Sequence, residues 1–277
     1  MLPNLVIIGA MKCGTTSLHY YLGLHPEISM SQQKELNFFI GKKKWTKGLD
    51  WYKSHFQEKT KILGEASPNY TSFTQFPGVP QRMHSIIPQA KLIYLVRDPI
   101  ERMIAHYVHQ YSHGSENRNI EEALTESNNN FYLDRSLYYL QISCFLDYFD
   151  SQNVLIMSAE SLRQDTLNSL KKIFEFLDIE VGFESQQFRY QRHKSVRKRR
   201  KTALGESIAN LPAMQNLKKI PQRLRWPIEE LVYFPVSKPI ARPDLSESMR
   251  HHLKEKLRDD VEKFKRIAKC DFSSWNI

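Results

Sequence analysis

Hydrophobic residues along this 277-residue chain occur in short runs separated by amphipathic stretches. The apolar runs do not alternate with polar residues, which is typical of strands buried on both faces. They lie at Leu5–Ile8, Ile62–Leu63, Leu92–Val96 and Val154–Met157. Because strands that alternate with helices usually form a covered parallel sheet, we expect an α/β fold: one domain with a central, mostly parallel sheet flanked by helices.

Helices are predicted between and after these strands, and several of their ends can be read from single residues. Pro26 should stop the helix that follows the first strand. Asp165 is a good N-cap for the helical pattern at 167–177, and Ser246 is one for the long amphipathic stripe from Met249 to Ile267.

Two segments in the last third of the chain do not follow this alternation. Residues 189–201 hold eight lysines and arginines and no acid, and residues 207–243 are rich in proline and aromatics. We interpret the first as a basic loop and the second as an irregular insertion over the core. No repeat or flexible linker divides the chain, so residues 1–277 are predicted to form one domain.

The net charge of +10 comes mostly from the basic loop, which contains a single aromatic, Tyr190. Nucleic-acid binders usually spread basic charge over a surface, so no nucleic-acid partner is expected. A solvated loop is the simplest interpretation of this segment. The alternative is a lid that meets an anionic ligand.

Composition and cysteine content indicate a globular protein of a reducing compartment. Apolar residues make up 41% and charged residues 25% of the chain, and no apolar run approaches the roughly 18 residues that a membrane span needs. The first strand pattern begins four residues after Met1, which leaves no room for a secretory signal. The odd number of cysteines (Cys13, Cys144 and Cys270) argues against a disulfide framework and a zinc site. We therefore expect a cytoplasmic location.

The segment Gly9–Ser17 joins a buried strand to a helix through a glycine-containing turn. Free backbone N–H groups and the helix dipole make such a junction an anion site. Gly9 and Gly14 have the Walker A spacing, but Thr15 stands where that motif needs lysine, and the lysine is Lys12 inside the loop. A glycine turn with a solvent-facing lysine remains the alternative.

Arg97 follows the strand Leu92–Val96 directly. Open α/β sheets bind ligands at the carboxyl ends of their strands, and a guanidinium group matches a terminal phosphate. Taken alone, Arg97 is more simply interpreted as the partner of Asp98 or Glu101 in an ion pair that caps the helix. Two anion sites at the ends of two strands are what a bis-phosphorylated nucleotide requires.

Together these two segments resemble the sulfotransferase family, whose donor is 3′-phosphoadenosine 5′-phosphosulfate (PAPS). Lys12–Leu18 is similar to the family's 5′-phosphosulfate loop, and Arg97–Tyr107 to its 3′-phosphate motif, except that Ala105 replaces a serine that helps to hold the phosphate. The resemblance implies a P-loop-like sulfotransferase fold and PAPS as co-substrate. No carboxylate cluster with metal-ligand spacing lies near the loop, and a sulfuryl group carries less charge than a phosphoryl group, so we expect no metal requirement. The resemblance also implies a set of nucleotide-binding residues, namely Lys12, Cys13, Gly14, Thr15, Thr16, Ser17 and Arg97.

The segment Lys34–Phe39 is similar to a Lys-Glu-x-x-Phe-Phe motif of the glycan (heparan sulfate-type) branch of the family. Its glutamate is the proposed general base, which implies that role for Glu35. Two further segments, Lys47–Tyr52 and Gly64–Tyr70, resemble the same branch, although Ala66 stands where some members have lysine. Other candidates for the base are Glu65, His106, His109 and His113.

The expected activity is sulfuryl transfer from PAPS to a hydroxyl or amine of a glycan-like, small or carrier-linked acceptor. Lys12 would stabilise the leaving group and Glu35 would accept the proton. Two alternatives remain open: a P-loop kinase-like phosphotransferase that uses ATP and Mg²⁺, and a non-catalytic polyanion-binding protein that uses the basic loop. The identity of the acceptor cannot be read from these motifs.

Overall fold

A five-stranded parallel sheet forms the centre of the protein, in the order β2-β3-β1-β4-β5. The computed structural model describes residues 1–41, 44–56, 59–125, 130–190, 198–217, 220, 228–229 and 231–277. The strands are β1 (Leu5–Gly9), β2 (Ile28–Met30), β3 (Ile62–Ala66), β4 (Lys91–Val96) and β5 (Val154–Ser158). The predicted α/β fold with a parallel sheet is confirmed.

The strand order places a switch point at β1. The chain runs from β1 through β2 to β3 on one side, and β4 and β5 lie on the other side. Every residue of β1 and β3 is buried, because helices cover both faces of the sheet. Ligands of open α/β sheets bind beyond the carboxyl ends of the strands at such a point, so the loops that follow β1 and β4 are the expected place for a site.

Twelve α-helices are described. They are α1 (Thr15–Leu22), α2 (Gly48–Lys53), α3 (Val79–Ile86), α4 (Pro99–Ser112), α5 (Ile120–Thr125), α6 (Phe131–Asp134), α7 (Tyr138–Leu146), α8 (Ala159–Gln164), α9 (Thr166–Leu177), α10 (Ala203–Ala209), α11 (Pro212–Leu217) and α12 (Glu247–Ile267). The predicted caps are confirmed: Asp165 accepts a hydrogen bond from Asn168 N, and Ser246 accepts one from Met249 N. The first helix ends at Leu22, before Pro26 is reached.

The described part of the basic segment is not a solvated loop. It contains the strand β6 (Arg199–Lys201), which pairs antiparallel with β7 (Ser237–Pro239). The Arg200 guanidinium lies 4.0 Å from the Tyr111 ring of α4, and the Arg199 guanidinium lies 4.2 Å from the Phe234 ring. These cation–π contacts hold the strand in place, and periodicity alone does not reveal them. Residues 191–197 lie outside the described residues.

The segment 207–243 is not irregular throughout. Its described part contains the end of α10, α11 and β7. Residues 218–219, 221–227 and 230 lie outside the described residues. No described helix has the length and hydrophobicity to cross a membrane, and among the described side chains no three His, Cys, Asp or Glu residues are grouped as metal ligands.

Candidate active site at the carboxyl ends of the strands

The loop between β1 and α1 turns sharply through two residues with left-handed backbone. Lys12 has φ 72° and Gly14 has φ 96°. The helix begins at Thr15, and Gly14 O accepts the hydrogen bonds of Ser17 N and Leu18 N. The N–H groups before them point out of the helix without intrahelical acceptors. The strand, turn and helix N-terminus that the sequence predicts are therefore present. N–H groups at such an N-terminus attract anions in proteins.

Three of the four non-glycine residues with positive φ among the described residues lie around this loop. They are Lys12, Glu35 (φ 63°) and Asn37 (φ 52°), and the fourth is Asp178. Such backbone conformations are uncommon for residues with a side chain, and they cluster at functional sites. The strained positions coincide with the two segments that the sequence singles out.

The charge environment of Lys12 connects the loop with both other predicted site residues. Burial lowers the pKa of Lys12 below its usual range, and the Glu35 carboxylate partly offsets that effect. The charge of Arg97 lowers the pKa further. Lys12, Glu35 and Arg97 therefore lie within electrostatic reach of one another, although they come from three separate parts of the chain.

The other residues of the loop contribute unequally. Cys13 is buried, and burial raises its pKa to about 11. Its Sγ lies 3.8 Å from the Tyr138 hydroxyl, which donates to Arg97 O at 2.8 Å, so this side chain fastens the loop to the end of β4. The Cys13 side chain is buried, so it does not support the predicted contact of this residue with the nucleotide. Thr15 is buried, whereas Thr16 and Ser17 are half-buried and Gly14 is exposed.

Arg97 stands directly after β4 and forms an ion pair with Glu101, Nη2 to Oε2, at 3.3 Å. The guanidinium of Arg242 contacts the same Glu101 oxygen. The ion pair that the sequence leaves open as an alternative is present, but here two cations share one carboxylate. Glu101 is therefore the shared partner of both guanidinium groups at the end of β4.

The rest of the predicted 3′-phosphate motif has a structural role. Arg102 is fully buried and donates from Nε to Ser136 Oγ at 2.6 Å, and its Nη2 donates to the Tyr132 carbonyl. Ala105 is buried as well. Arg102 thus fastens α4 to the segment before α7, and it is not available to a ligand.

The three histidines of α4 and its end do not fit the base role. His106 is buried, and burial and the Arg102 charge hold its pKa well below the usual range. His109 Nδ1 lies 2.5 Å from Lys198 Nζ, and burial and the Lys12 charge lower its pKa to about 3. Exposed His113 is bonded through Nδ1 to His109 O at 2.7 Å.

The two candidate glutamates differ sharply in their surroundings. Glu65 is fully buried and accepts hydrogen bonds from Tyr52 at 2.6 Å, Tyr70 at 2.9 Å and Ser67 at 2.7 Å. Glu35 is half-exposed, and its Oε1 lies 2.9 Å from Lys34 Nζ. A carboxylate held by three buried donors cannot reach an acceptor, whereas the Glu35 carboxylate is accessible from solvent.

Known proteins with similar sequences are sulfotransferases. The model of the sulfotransferase domain family matches residues 2–221. The chain belongs to this family. A bifunctional heparan sulfate N-deacetylase/N-sulfotransferase of Drosophila melanogaster is 29% identical over 250 residues, which cover 77% of the chain and 24% of that protein. The membrane-associated sulfotransferase kil1 of Dictyostelium discoideum is 40% identical over 111 residues, which cover 38% of the chain and 22% of that protein. The chain thus spans about a quarter of the length of these curated relatives.

Solved sulfotransferase structures share the fold. A sulfotransferase from Alicyclobacillus acidocaldarius superposes with a TM-score of 0.72 and 21% identity, and the likeness covers 100% of both chains. Mouse sulfotransferase SULT7A1 complexed with PAP gives a TM-score of 0.52 at 13% identity, covering 94% of this chain and 84% of the mouse chain. At these identities the likeness concerns the fold alone.

Two arginines near the site, Arg242 and Arg135, lie outside the motifs found in the sequence. Arg135 is nine-tenths buried, and its Nη1 lies 2.7 Å from Met11 Sδ in the loop and 3.2 Å from Asn69 Oδ1. Burial and the Arg102 charge lower its pKa to about 10. Arg135 therefore connects the loop with the segment after β3. The sequence does not indicate these contacts of Arg135, because its partners lie far from it along the chain.

Proposed function

We propose that this chain transfers a sulfuryl group from PAPS to a hydroxyl or amine of a glycan-like, small or carrier-linked acceptor. The observation that carries the proposal is the convergence of Lys12, Glu35 and Arg97 at the ends of β1 and β4. The relatives named as heparan sulfate N-sulfotransferases and the mouse structure complexed with PAP support this donor and acceptor class.

The charge of the site suits a polyanionic nucleotide. The loop from Lys12 to Ser17 offers N–H groups at a helix N-terminus to the 5′ end, and Arg97 offers a guanidinium to the 3′-phosphate. Arg242 adds a second guanidinium beside Arg97. A doubly phosphorylated product, adenosine 3′,5′-bisphosphate (PAP), would occupy the same positions.

Lys12 and Glu35 have complementary roles in the proposed transfer. The acceptor oxygen or nitrogen forms the new bond to sulfur as its proton passes to Glu35. The bond between sulfur and the bridging oxygen breaks, and its electron pair stays on the 5′-phosphate. Lys12 stabilises this growing charge, which is typically worth about 3–4 kcal/mol in the barrier. The Glu35 carboxylate contributes about 10²–10⁴ in rate as a general base.

Two further expectations belong to this proposal. The sulfuryl group carries less charge than a phosphoryl group, so the reaction should need no metal and should continue in EDTA. The cytoplasm is the proposed compartment, because Cys13, Cys144 and Cys270 are free thiols, as in a reducing environment. Fractionation of cells that express the chain at natural levels tests the second point.

Transfer of labelled sulfate from PAPS onto a panel of glycans, phenols and amines tests the proposed activity. The wild type and the matched control Lys256→Ala, an exposed lysine of α12, should label at least one acceptor. Lys12→Ala should be slower by about 10²–10³. Transfer at the wild-type rate by Lys12→Ala, or phosphate transfer from ATP–Mg²⁺ in place of sulfate transfer, would refute the proposal.

A further inference from the structure

One face of α4 carries a row of side chains that leads away from Arg97. Glu101, Ala105, His109 and Ser112 follow one another at spacings of three or four residues, so they lie along the same side of the helix. Glu101 holds Arg97 and Arg242 at one end of the row. The opposite end lies about 12–17 Å away at 1.5 Å per residue.

Lys198 occupies the opposite end of this row. Its Nζ lies 2.5 Å from His109 Nδ1 and 3.3 Å from Ser112 Oγ. The residue directly precedes β6, which pairs with β7 and packs on α4, so the position of its backbone is fixed. The fold therefore places the Lys198 ammonium group over this face of α4.

This ammonium group has no anionic partner among the described residues. Its two partners are neutral, and within the described ranges no carboxylate comes within ion-pair distance of it. Burial and the charge of Lys12 lower its pKa to about 7. When an anion binds between a half-buried lysine and a second cation, it strongly stabilises the charged form of the lysine.

Ala105 lies between the two cationic ends of the row. Its side chain is buried and offers no hydrogen-bond donor, and it stands one helical turn, about 6 Å, from His109. A phosphate over this turn would have Arg97 on one side and Lys198 within the reach of a flexible lysine side chain on the other.

We propose that Lys198 binds the 3′-phosphate of the donor nucleotide from the side opposite Arg97, where Ala105 provides no donor. The proposal rests on the proposed function, because it places that nucleotide in the site. On binding, the Lys198 ammonium exchanges its contact with His109 for the phosphate. Lys198 is thereby a binding residue for the donor and not part of a free basic loop.

Calorimetric titrations with PAP and with adenosine 5′-phosphate, which lacks the 3′-phosphate, test this assignment. Lys198→Ala should lower the affinity for PAP by about 10- to 100-fold and leave the affinity for adenosine 5′-phosphate nearly unchanged. The matched control is Lys201→Ala at the end of β6, where the ammonium group lies over the Tyr233 ring. This variant should bind PAP like the wild type. Thermal unfolding of each variant checks that the fold is retained.

A second substitution tests the position as well as the charge. Ala105→Ser adds a hydroxyl to the same turn, so it should strengthen PAP binding several-fold in the Lys198→Ala background and much less in the wild type. The proposal would be overturned if Ala105→Ser changed the PAP affinity equally in both backgrounds. It would also be overturned if Lys198→Ala lowered the affinities for PAP and adenosine 5′-phosphate equally. Unchanged PAP affinity in Lys198→Ala would overturn it as well, because the site would then bind PAP without this lysine. A wild-type protein that fails to bind PAP would instead overturn the proposed function.

Discussion

Arg97 Nη2 lies 3.3 Å from Glu101 Oε2, and the Arg242 guanidinium contacts that same oxygen. One carboxylate thus holds two guanidinium groups at the end of β4. A phosphate dianion can take the place of this carboxylate and bind both groups with charge-assisted hydrogen bonds. Under the proposed function, this ion pair orients both arginines before the nucleotide binds.

Arg97→Ala should weaken PAP binding by about 2–3 kcal/mol, or about 30- to 160-fold, because a charged hydrogen-bond donor to the phosphate is lost. Isothermal calorimetry measures this directly. Arg258→Ala, an exposed arginine of α12, serves as the matched control and should behave like the wild type. Equal affinity of the Arg97 variant and the control would remove Arg97 from the site.

Glu101→Gln should strengthen PAP binding, since the carboxylate competes with the phosphate for both guanidinium groups. The gain should be about 1 kcal/mol, or about fivefold, at low ionic strength, as expected for a unit charge about 4 Å away in water. It should shrink as salt is added. Weaker binding by Glu101→Gln would show that the glutamate orients Arg97 and does not compete.

The two neighbouring glutamates should give opposite results when each is changed to glutamine. Glu35→Gln should lower kcat by about 10²–10⁴ and leave the melting temperature unchanged, because its carboxylate is half-exposed. Glu65→Gln should cost about 1–3 kcal/mol of stability, since it disturbs three buried hydrogen bonds.

Thermal unfolding and kcat, measured on both variants, decide this comparison. The two variants serve as controls for each other because they carry the same substitution. Full activity of a folded Glu35→Gln would mean that Glu35 is not the general base. Unchanged stability of Glu65→Gln would contradict its structural role.

PAP binding near pH 8 should take up close to one proton. The pKa of Lys198 is lowered to about 7 in the free protein, so most of this group is neutral at pH 8 and a bound phosphate would recharge it. His109, which contacts Lys198, has a pKa of about 3 and stays neutral, and the charge of Lys12 also acts on Lys198. His113 contacts His109.

Calorimetry in two buffers of different ionisation enthalpy counts the protons taken up. The uptake should disappear in Lys198→Ala, which separates it from any uptake by Lys12. Binding heats that are independent of the buffer at pH 8 would contradict this account of Lys198. The same titration at pH 6, where Lys198 is already charged, should show little uptake by this group.

The framework of the site can be predicted from the sequence because local rules fix it. A buried run followed by Gly9–Ser17 requires a strand, a turn and a helix N-terminus, and Arg97 must then stand at the end of the next central strand. The caps at Asp165 and Ser246 follow from the same local chemistry.

The remaining parts of the site depend on contacts across long stretches of chain. Arg135 meets Met11, Lys198 meets His109 and Arg242 meets Glu101 only after the sheet has brought the segments together. Periodicity and charge runs cannot indicate such pairs, and for this reason the sequence alone predicts a solvated basic segment. The burial of Glu65 is likewise set by the tyrosines that surround it.

The most direct test of the central claim is a crystal structure of the protein with PAP bound. We predict the 5′-phosphate on the backbone N–H groups of the loop between Lys12 and Ser17, beside the Lys12 ammonium. The 3′-phosphate should lie within hydrogen-bond distance of the Arg97 guanidinium. An unoccupied loop, or a guanidinium that remains on Glu101 while PAP lies elsewhere, would contradict the assignment.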